Sequence, residues 1–256
     1  MTSPRHVLVT GASRGIGRAT AQAFAANGDH VAVHVGRAVE DGAVTLASLS
    51  GTGHVLVQAD IGDREGAGQL VARAEDALGA PVTVLVNNAG LATTPESAHS
   101  PTVDALLWAA AWDRYLRVNT LGTAVVTHAM TSRLIELGLP GHVVGVGSGA
   151  AHSGATEFPA YAASKAAVHA MHASLAAALA PHGITVATVA PGIIGTERFT
   201  ERLAGPDGER MRSASPFGRV GTPEEVAFAI LWLASPAASW AAGATLDLNG
   251  ASRGRP

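Results

Sequence analysis

Cysteine is absent from this 256-residue chain, which removes disulfides and thiol chemistry and suits a reducing compartment. Long apolar runs are missing too. Each hydrophobic stretch is broken by Gly, Pro or charge well short of the ~20 residues a membrane span needs, so no membrane association is expected. No basic run stands out among 17 basic and 20 acidic residues, net charge −3, and nucleic acid is not an expected partner. The 11 histidines show no HExxH or similar spacing, so no metal is expected. No Pro/Ser/Gly linker, repeat or low-complexity tract divides the chain. The opening MTSPRHVLVT runs straight into a strand-like segment, so no signal peptide is read and a cytoplasmic location is expected.

What the chain does have is 47% apolar residues, enough to bury a sizeable core. β-branched runs recur at 6–10, 30–35, 54–58, 82–86, 142–147, 184–189 and 244–248, with helical stretches such as 17–27, 63–78 and 159–181 between them. Strands apolar on both faces, alternating with helices, predict an α/β fold. The expected form is a single doubly wound domain over residues 1–256, with a seven-stranded parallel sheet and helices on both faces. The stretch from about 193 to 217 is polar, rich in Arg, Glu and Gly, and lacks a strong period. It reads as an irregular excursion beyond the sixth strand.

In open parallel sheets, ligands bind beyond the carboxyl ends of the strands, where the strand order switches. Four motifs fall at such ends: TGASRGIG after the first strand, NNAG after the fourth, GVGS closing the fifth and APG after the sixth. In the first, Gly11, Gly15 and Gly17 are spaced GxxxGxG, with Ser13, Arg14 and Ile16 among them. Gly11 permits a tight turn, Gly15 lets main chain approach a phosphate, and Gly17 allows helix to pack closely on strand. The amides and dipole of the following helix favour a pyrophosphate, which points to a dinucleotide.

A carboxylate about twenty residues downstream would select the ribose 2′-hydroxyl of NAD. Val35 and Gly36 stand there instead, followed by Arg37. Arg14 and Arg37 can clamp a 2′-phosphate, so NADP(H) is the expected cofactor. After the third strand, Asp60, followed by Ile61, is a candidate for the adenine amino group. A helix N-cap is an equal alternative for Asp60 or Asp63.

YAASK places Tyr161 and Lys165 one turn apart on one helix face. A phenol ordinarily titrates near pH 10. A neighbouring ammonium, and the positive nicotinamide of an oxidised cofactor, would bring it towards the working pH. Ser148, thirteen residues earlier, can hold a carbonyl oxygen beside the phenol. Asn119 falls mid-helix, where Asn is disfavoured, and is a candidate to anchor a water linking Lys165 to solvent.

TGxxxGxG (Thr10 to Gly17), NNAG (Asn87 to Gly90), the helical Asn119, Ser148, YxxxK (Tyr161, Lys165) and PGxxxT (Pro191 to Thr196) occur in that order. Together they resemble the short-chain dehydrogenase/reductase family over nearly the whole chain, with the nearest likeness to 3-oxoacyl carrier-protein reductases and related NADPH ketoreductases. The resemblance implies a Rossmann-type domain, an Asn119–Ser148–Tyr161–Lys165 catalytic set, and hydride transfer between NAD(P) and an alcohol or carbonyl. It also implies cofactor contacts from Asn88, Ala89 and Gly90, with Asn87 in support, and from Pro191, Gly192, Ile194 and Thr196. Alternatives are an NAD-linked sugar or hydroxysteroid dehydrogenase, or a non-catalytic NADP-binding regulator.

Carrier-protein reductases of this family tend to carry a basic residue on the helix after YxxxK. Here that stretch, SLAAALAPHG, has none, which favours a small free ketone or alcohol. The segment from Leu91 to Ala111 is long and is expected to help build the pocket with residues 193–215. In it, Trp108 and Trp112 either shape an apolar pocket or pack on the helix core. The YxxxK helix is alanine-rich almost all round, and the sheet can cover only one side of it. A homo-oligomer, dimer or tetramer, is therefore expected.

Overall fold

The computed structural model describes residues 4–94 and 97–252. Its strands are β1 (His6–Val9), β2 (His30–Val35), β3 (Val55–Gln58), β4 (Val84–Asn87), β5 (Gly141–Val146), β6 (Ile184–Pro191) and β7 (Thr245–Leu248). They form one parallel sheet in the order β3-β2-β1-β4-β5-β6-β7. Strand limits differ from the sequence reading by no more than two residues.

The helices are α1 (Gly15–Ala26), α2 (Val39–Ala47), α3 (Arg64–Leu78), α4 (Ala105–Tyr115), α5 (Thr123–Leu137), α6 (Ala150–Ser153), α7 (Pro159–Leu179), α8 (Thr200–Ala204), α9 (Gly208–Ser213) and α10 (Pro223–Leu233). A π-helical stretch, Leu116–Gly122, joins α4 to α5. The 193–217 excursion is not wholly irregular: it holds a 3-10 turn (Glu197–Phe199), α8 and α9. Helices this short complete barely a turn or two, too little to print a 3.6 period on the sequence.

Side chains alternate across the strands, and both faces are apolar because both are covered. In β1, Val7 and Val9 turn to the layer that holds Phe24 of α1 and Ile230 of α10. Leu8 turns to the opposite layer, with Leu70 of α3, Met130 and Leu134 of α5 and Leu179 of α7. Leu8, Leu70, Leu85, Met130 and Ile230 are fully buried, each contributing roughly 1.5–3 kcal/mol by leaving water.

Caps set where the helices begin. Asp63 accepts a hydrogen bond from the Gly66 N–H at 2.9 Å and starts α3. Thr222 and Glu225 form a reciprocal capping box on α10, with Pro223 in its first turn. On α7, Ala160, Ser164, Lys165, Val168 and His172 face inward, while Ala170, Ala173 and Ala177 are exposed. Among the described residues no helix is long and apolar enough to cross a membrane.

Strand order reverses between β1 and β4, whose carboxyl ends lie side by side. The sheet thereby opens a crevice at the point where the glycine turn and NNAG meet.

Candidate active site

The glycine turn is tied down from three directions. Gly11 has φ +64°, and a Cβ there would come within 2.8 Å of Ala89 Cα, so only glycine fits. A Cβ on Gly17 would collide with the Gly11 carbonyl and the Asn88 amide. Asn88 Nδ2 donates to the carbonyls of Thr10 and Gly11 at 2.8 and 2.9 Å. Thr10 Oγ1 accepts from the N–H groups of Asn88 and Ala89, both at 3.0 Å. The third tether is His34 of β2: its Nδ1 accepts from the Gly11 N–H at 3.1 Å, and its Nε2 donates to the Ala59 carbonyl at 3.0 Å. Burial pushes the His34 pKa down to about 4, so the ring works as a neutral strut.

A cavity of about 810 Å³ lies over this turn and runs along the sheet edge. Of the residues read from sequence as cofactor contacts, Gly11, Ser13, Arg14, Gly15, Ile16, Arg37, Asp60, Ile61, Asn88, Ala89, Gly90, Pro191, Gly192, Ile194 and Thr196 line it. Gly17 stands just behind. Asn87 does too: it is buried, and its Nδ2 donates to Thr127 Oγ1 of α5 at 2.8 Å. Asp60 Oδ1 accepts from the Gly62 N–H at 2.8 Å, so the helix cap belongs to Asp63 and Asp60 remains at the cavity wall. Arg14 and Arg37 are exposed, and among the described residues neither guanidinium has a hydrogen-bond or ion-pair partner. The Gly15 amide already binds an anionic group, since its N–H donates to Glu197 Oε2 at 3.1 Å. That contact shows that the turn can hold negative charge, as a dinucleotide pyrophosphate requires.

Ser148, Tyr161 and Lys165 line the same cavity. Ser148 follows β5, while Tyr161 and Lys165 come from the first two turns of α7. The Ser148 hydroxyl acts on the Tyr161 phenol and lowers its pKa, and Ser148 Oγ accepts from the Ala150 N–H at 3.1 Å. The Lys165 ammonium is buried and donates to the Val146 carbonyl at 2.8 Å. Burial lowers its pKa to about 8. The expectation that Lys165 draws the phenol pKa down is not met. Burial pushes the Tyr161 phenol up, opposed by the Ser148 hydrogen bond and the Arg198 charge. Desolvation outweighs attraction because the phenolate, like the ammonium, is poorly hydrated there.

Asn119 lies one layer behind the wall. Its Oδ1 accepts from the Leu91 N–H at 2.7 Å, and its Nδ2 donates to Ser164 Oγ at 3.0 Å. It sits in the π-helical stretch rather than in regular helix, a departure that often marks functional sites. Its main-chain carbonyl accepts from Thr123 Oγ1 at 2.8 Å. The side chain thus ties the NNAG loop to α7.

Part of the pocket differs from the sequence reading. Of the 91–111 segment, Leu91, Ala92 and Thr93 reach the cavity, but Trp108 and Trp112 do not. The two indoles pack against each other at a tilt of 48°, 6.0 Å between ring centres, and Trp108 meets His99 at 6.3 Å. Residues 95 and 96 lie outside the described residues. His34, His152 and Phe158 line the cavity and were not read from sequence, while Arg198 and Phe199 line it from within the 193–215 stretch expected to help build the pocket. His34 did leave a signal, as an imidazole inside an otherwise apolar strand run.

Residues 5–206 match the family described as short chain dehydrogenase. The chain is 35% identical over 247 residues to an L-rhamnose 1-dehydrogenase (NAD(P)(+)) of a Sphingomonas strain, covering 95% of this chain and 94% of the other. It is 33% identical over 258 residues to the chloroplastic NADPH-dependent aldehyde reductase 2 of Arabidopsis thaliana, covering 96% and 93%. Among solved structures it is similar to a short chain dehydrogenase from Burkholderia cenocepacia in complex with NADP, with TM-score 0.85, 31% identity and 97% coverage of each chain.

Proposed function

The chain belongs to the short-chain dehydrogenase/reductase family, whose members act on alcohols or carbonyls with NAD(P), and on that premise we propose an NADP(H)-dependent ketoreductase with Tyr161 as its general acid and base. The observation that carries this reading is that Ser148, Tyr161 and Lys165 stand together on the wall of the same cavity that holds the glycine turn. The cofactor, when bound, supplies or accepts the hydride.

The chain's own residues do the rest. Ser148 Oγ accepts from the Ala150 N–H, which leaves its hydroxyl hydrogen to hold a carbonyl oxygen. The raised phenol pKa of Tyr161 keeps its proton on at neutral pH, ready for an oxygen that gains charge during reduction. Lys165, fixed to the Val146 carbonyl, keeps a cationic or neutral donor behind the phenol. Asn119 holds Leu91 and Ser164 in register.

NADP(H) over NAD(H) is supported by two unpaired guanidiniums, Arg14 and Arg37, at the cavity end where Val35 and Gly36 replace an acid. A small free ketone or alcohol, rather than a carrier-bound one, is supported by the exposed end of α7, which carries no Lys or Arg. A second reading, oxidation of a sugar or hydroxysteroid, is favoured by the likeness to the enzyme named L-rhamnose 1-dehydrogenase. It uses the same residues. A regulator without turnover would have no use for a phenol paired with Ser148. The exposed alanine face of α7, with exposed Phe228 and Trp232 on α10, supports assembly as a dimer or tetramer.

The test is a panel of ketones, aldoses and secondary alcohols with both cofactors, run on wild type and Tyr161→Phe. The variant is expected to lose about 100-fold or more in kcat while keeping its affinity for NADPH. A Tyr161→Phe enzyme that turns over like wild type removes the assignment.

A further inference from the structure

Beneath Ser148, β5 and α7 meet through two bare glycines and two imidazoles. A Cβ on Gly145 would collide with the His172 ring, and one on Gly147 with His169 Nε2. Both rings therefore rest directly on main chain, where any other residue would displace them. His172 is neutral, its pKa lowered to about 4 mainly by burial, and its Nδ1 lies 3.0 Å from Thr188 Oγ1 of β6. His169 has a different neighbour. The Ser148 N–H donates to His169 Nε2 at 3.4 Å. On its other side, His169 Nδ1 is 3.2 Å from Nε2 of His152, on α6, with ring centres 4.9 Å apart. His152 itself lines the cavity.

The hydrogen bonds fix the proton positions. A nitrogen that accepts from a main-chain amide carries a lone pair, so His169 bears its proton on Nδ1 and donates it to His152 Nε2. We infer that His169 is a positioning residue for Ser148, holding the serine turn through its amide, and that His152 selects the tautomer in which it can do so. The Ser148 turn is held elsewhere by the Ala150 N–H on Oγ and by the Gly149 N–H, which donates to the Pro191 carbonyl at 3.1 Å. The His169 contact reaches the Ser148 main chain from α7, the helix that also carries Tyr161. It therefore sets the serine hydroxyl relative to the phenol. This inference rests on the proposed role of Ser148 in holding the carbonyl.

The experiment compares His169→Leu, which keeps bulk and loses the acceptor, with His169→Gln, whose side-chain oxygen can accept from the same amide. Ketone kcat and KM, NADPH affinity, melting temperature and hydrogen exchange of the 147–150 main chain are measured on the full-length protein. His169→Leu is expected to lose roughly tenfold in kcat, the order of one hydrogen bond, with NADPH affinity within about twofold of wild type and faster exchange at Ser148. His169→Gln should recover most of both. His152→Ala should show a smaller loss that does not add to that of His169→Leu. Equal kcat and exchange for His169→Leu and wild type overturn the inference. So does equal impairment of the Leu and Gln variants alongside a matching fall in melting temperature, which would mark plain packing. If wild type reduces no carbonyl, the functional reading falls, and the exchange comparison still decides whether His169 holds Ser148.

Discussion

Glu197 Oε2 accepts a hydrogen bond from the Gly15 N–H at 3.1 Å, while its Oε1 pairs with Arg18 Nη1 at 3.2 Å. A carboxylate from the segment after β6 thus rests on the glycine turn, 182 residues away in sequence. It occupies the amide that a dinucleotide phosphate is expected to use, so the two compete.

Glu197→Gln should therefore tighten NADPH binding. The repulsion removed is that of one exposed charge, about 1 kcal/mol, which corresponds to roughly a fivefold lower Kd. Stability should change little, because an exposed ion pair such as Arg18–Glu197 contributes ~0–1 kcal/mol. Titration of cofactor fluorescence gives the answer, and an unchanged or weaker Kd contradicts the competition.

Arg37 stands exposed at the cavity end beside Gly36. If it grips a 2′-phosphate, Arg37→Ala should weaken NADPH by about tenfold, the scale of one charge-assisted hydrogen bond. NADH, lacking that phosphate, should be unaffected. The measured quantity is the ratio of the two affinities. A ratio equal to that of wild type ends the cofactor argument at this residue, with Arg14→Ala the next to examine.

Lys165 gives stability a dependence on pH. Its folded pKa is lowered from 10.5 to about 8 by burial. Between those values the unfolded chain keeps a proton that the folded chain has released. Unfolding free energy therefore rises with pH across this window as far as Lys165 is concerned, and the cost of burying the charge is fully present below it. Lys165→Met lacks this dependence. The stability advantage of the Met variant over wild type should shrink, by on the order of 3 kcal/mol, between neutral pH and about pH 10.5. Urea unfolding at several pH values reads it directly. A difference that stays flat means that the ammonium is not paying a burial cost.

Part of this site can be read along the chain because its spacing is local. Tyr161 and Lys165 share a face since four residues make about one helical turn. Gly11, Gly15 and Gly17 announce a turn because their missing side chains are themselves the information. Other parts cannot be read so. Glu197 meets Gly15, His34 meets Gly11 and His152 meets His169 across 182, 23 and 17 residues, and each contact exists only once the elements have packed. The sequence left open whether Trp108 and Trp112 shape the pocket or pack on the helix core; the path of α4 turns them to each other, with Trp108 against His99.

The order of short Val-rich runs and helical stretches by itself determined a parallel sheet covered on both faces, since a strand apolar on each side must be buried on each side. It also determined which strand ends carry glycine and serine, and that the phenol and its lysine share a helix face. Only the tertiary structure decided the electrostatics among them. The direction of the Tyr161 shift follows from how much water the packed chain excludes, a quantity summed over residues from every part of the fold, and a neighbouring lysine in the sequence is too little to set it.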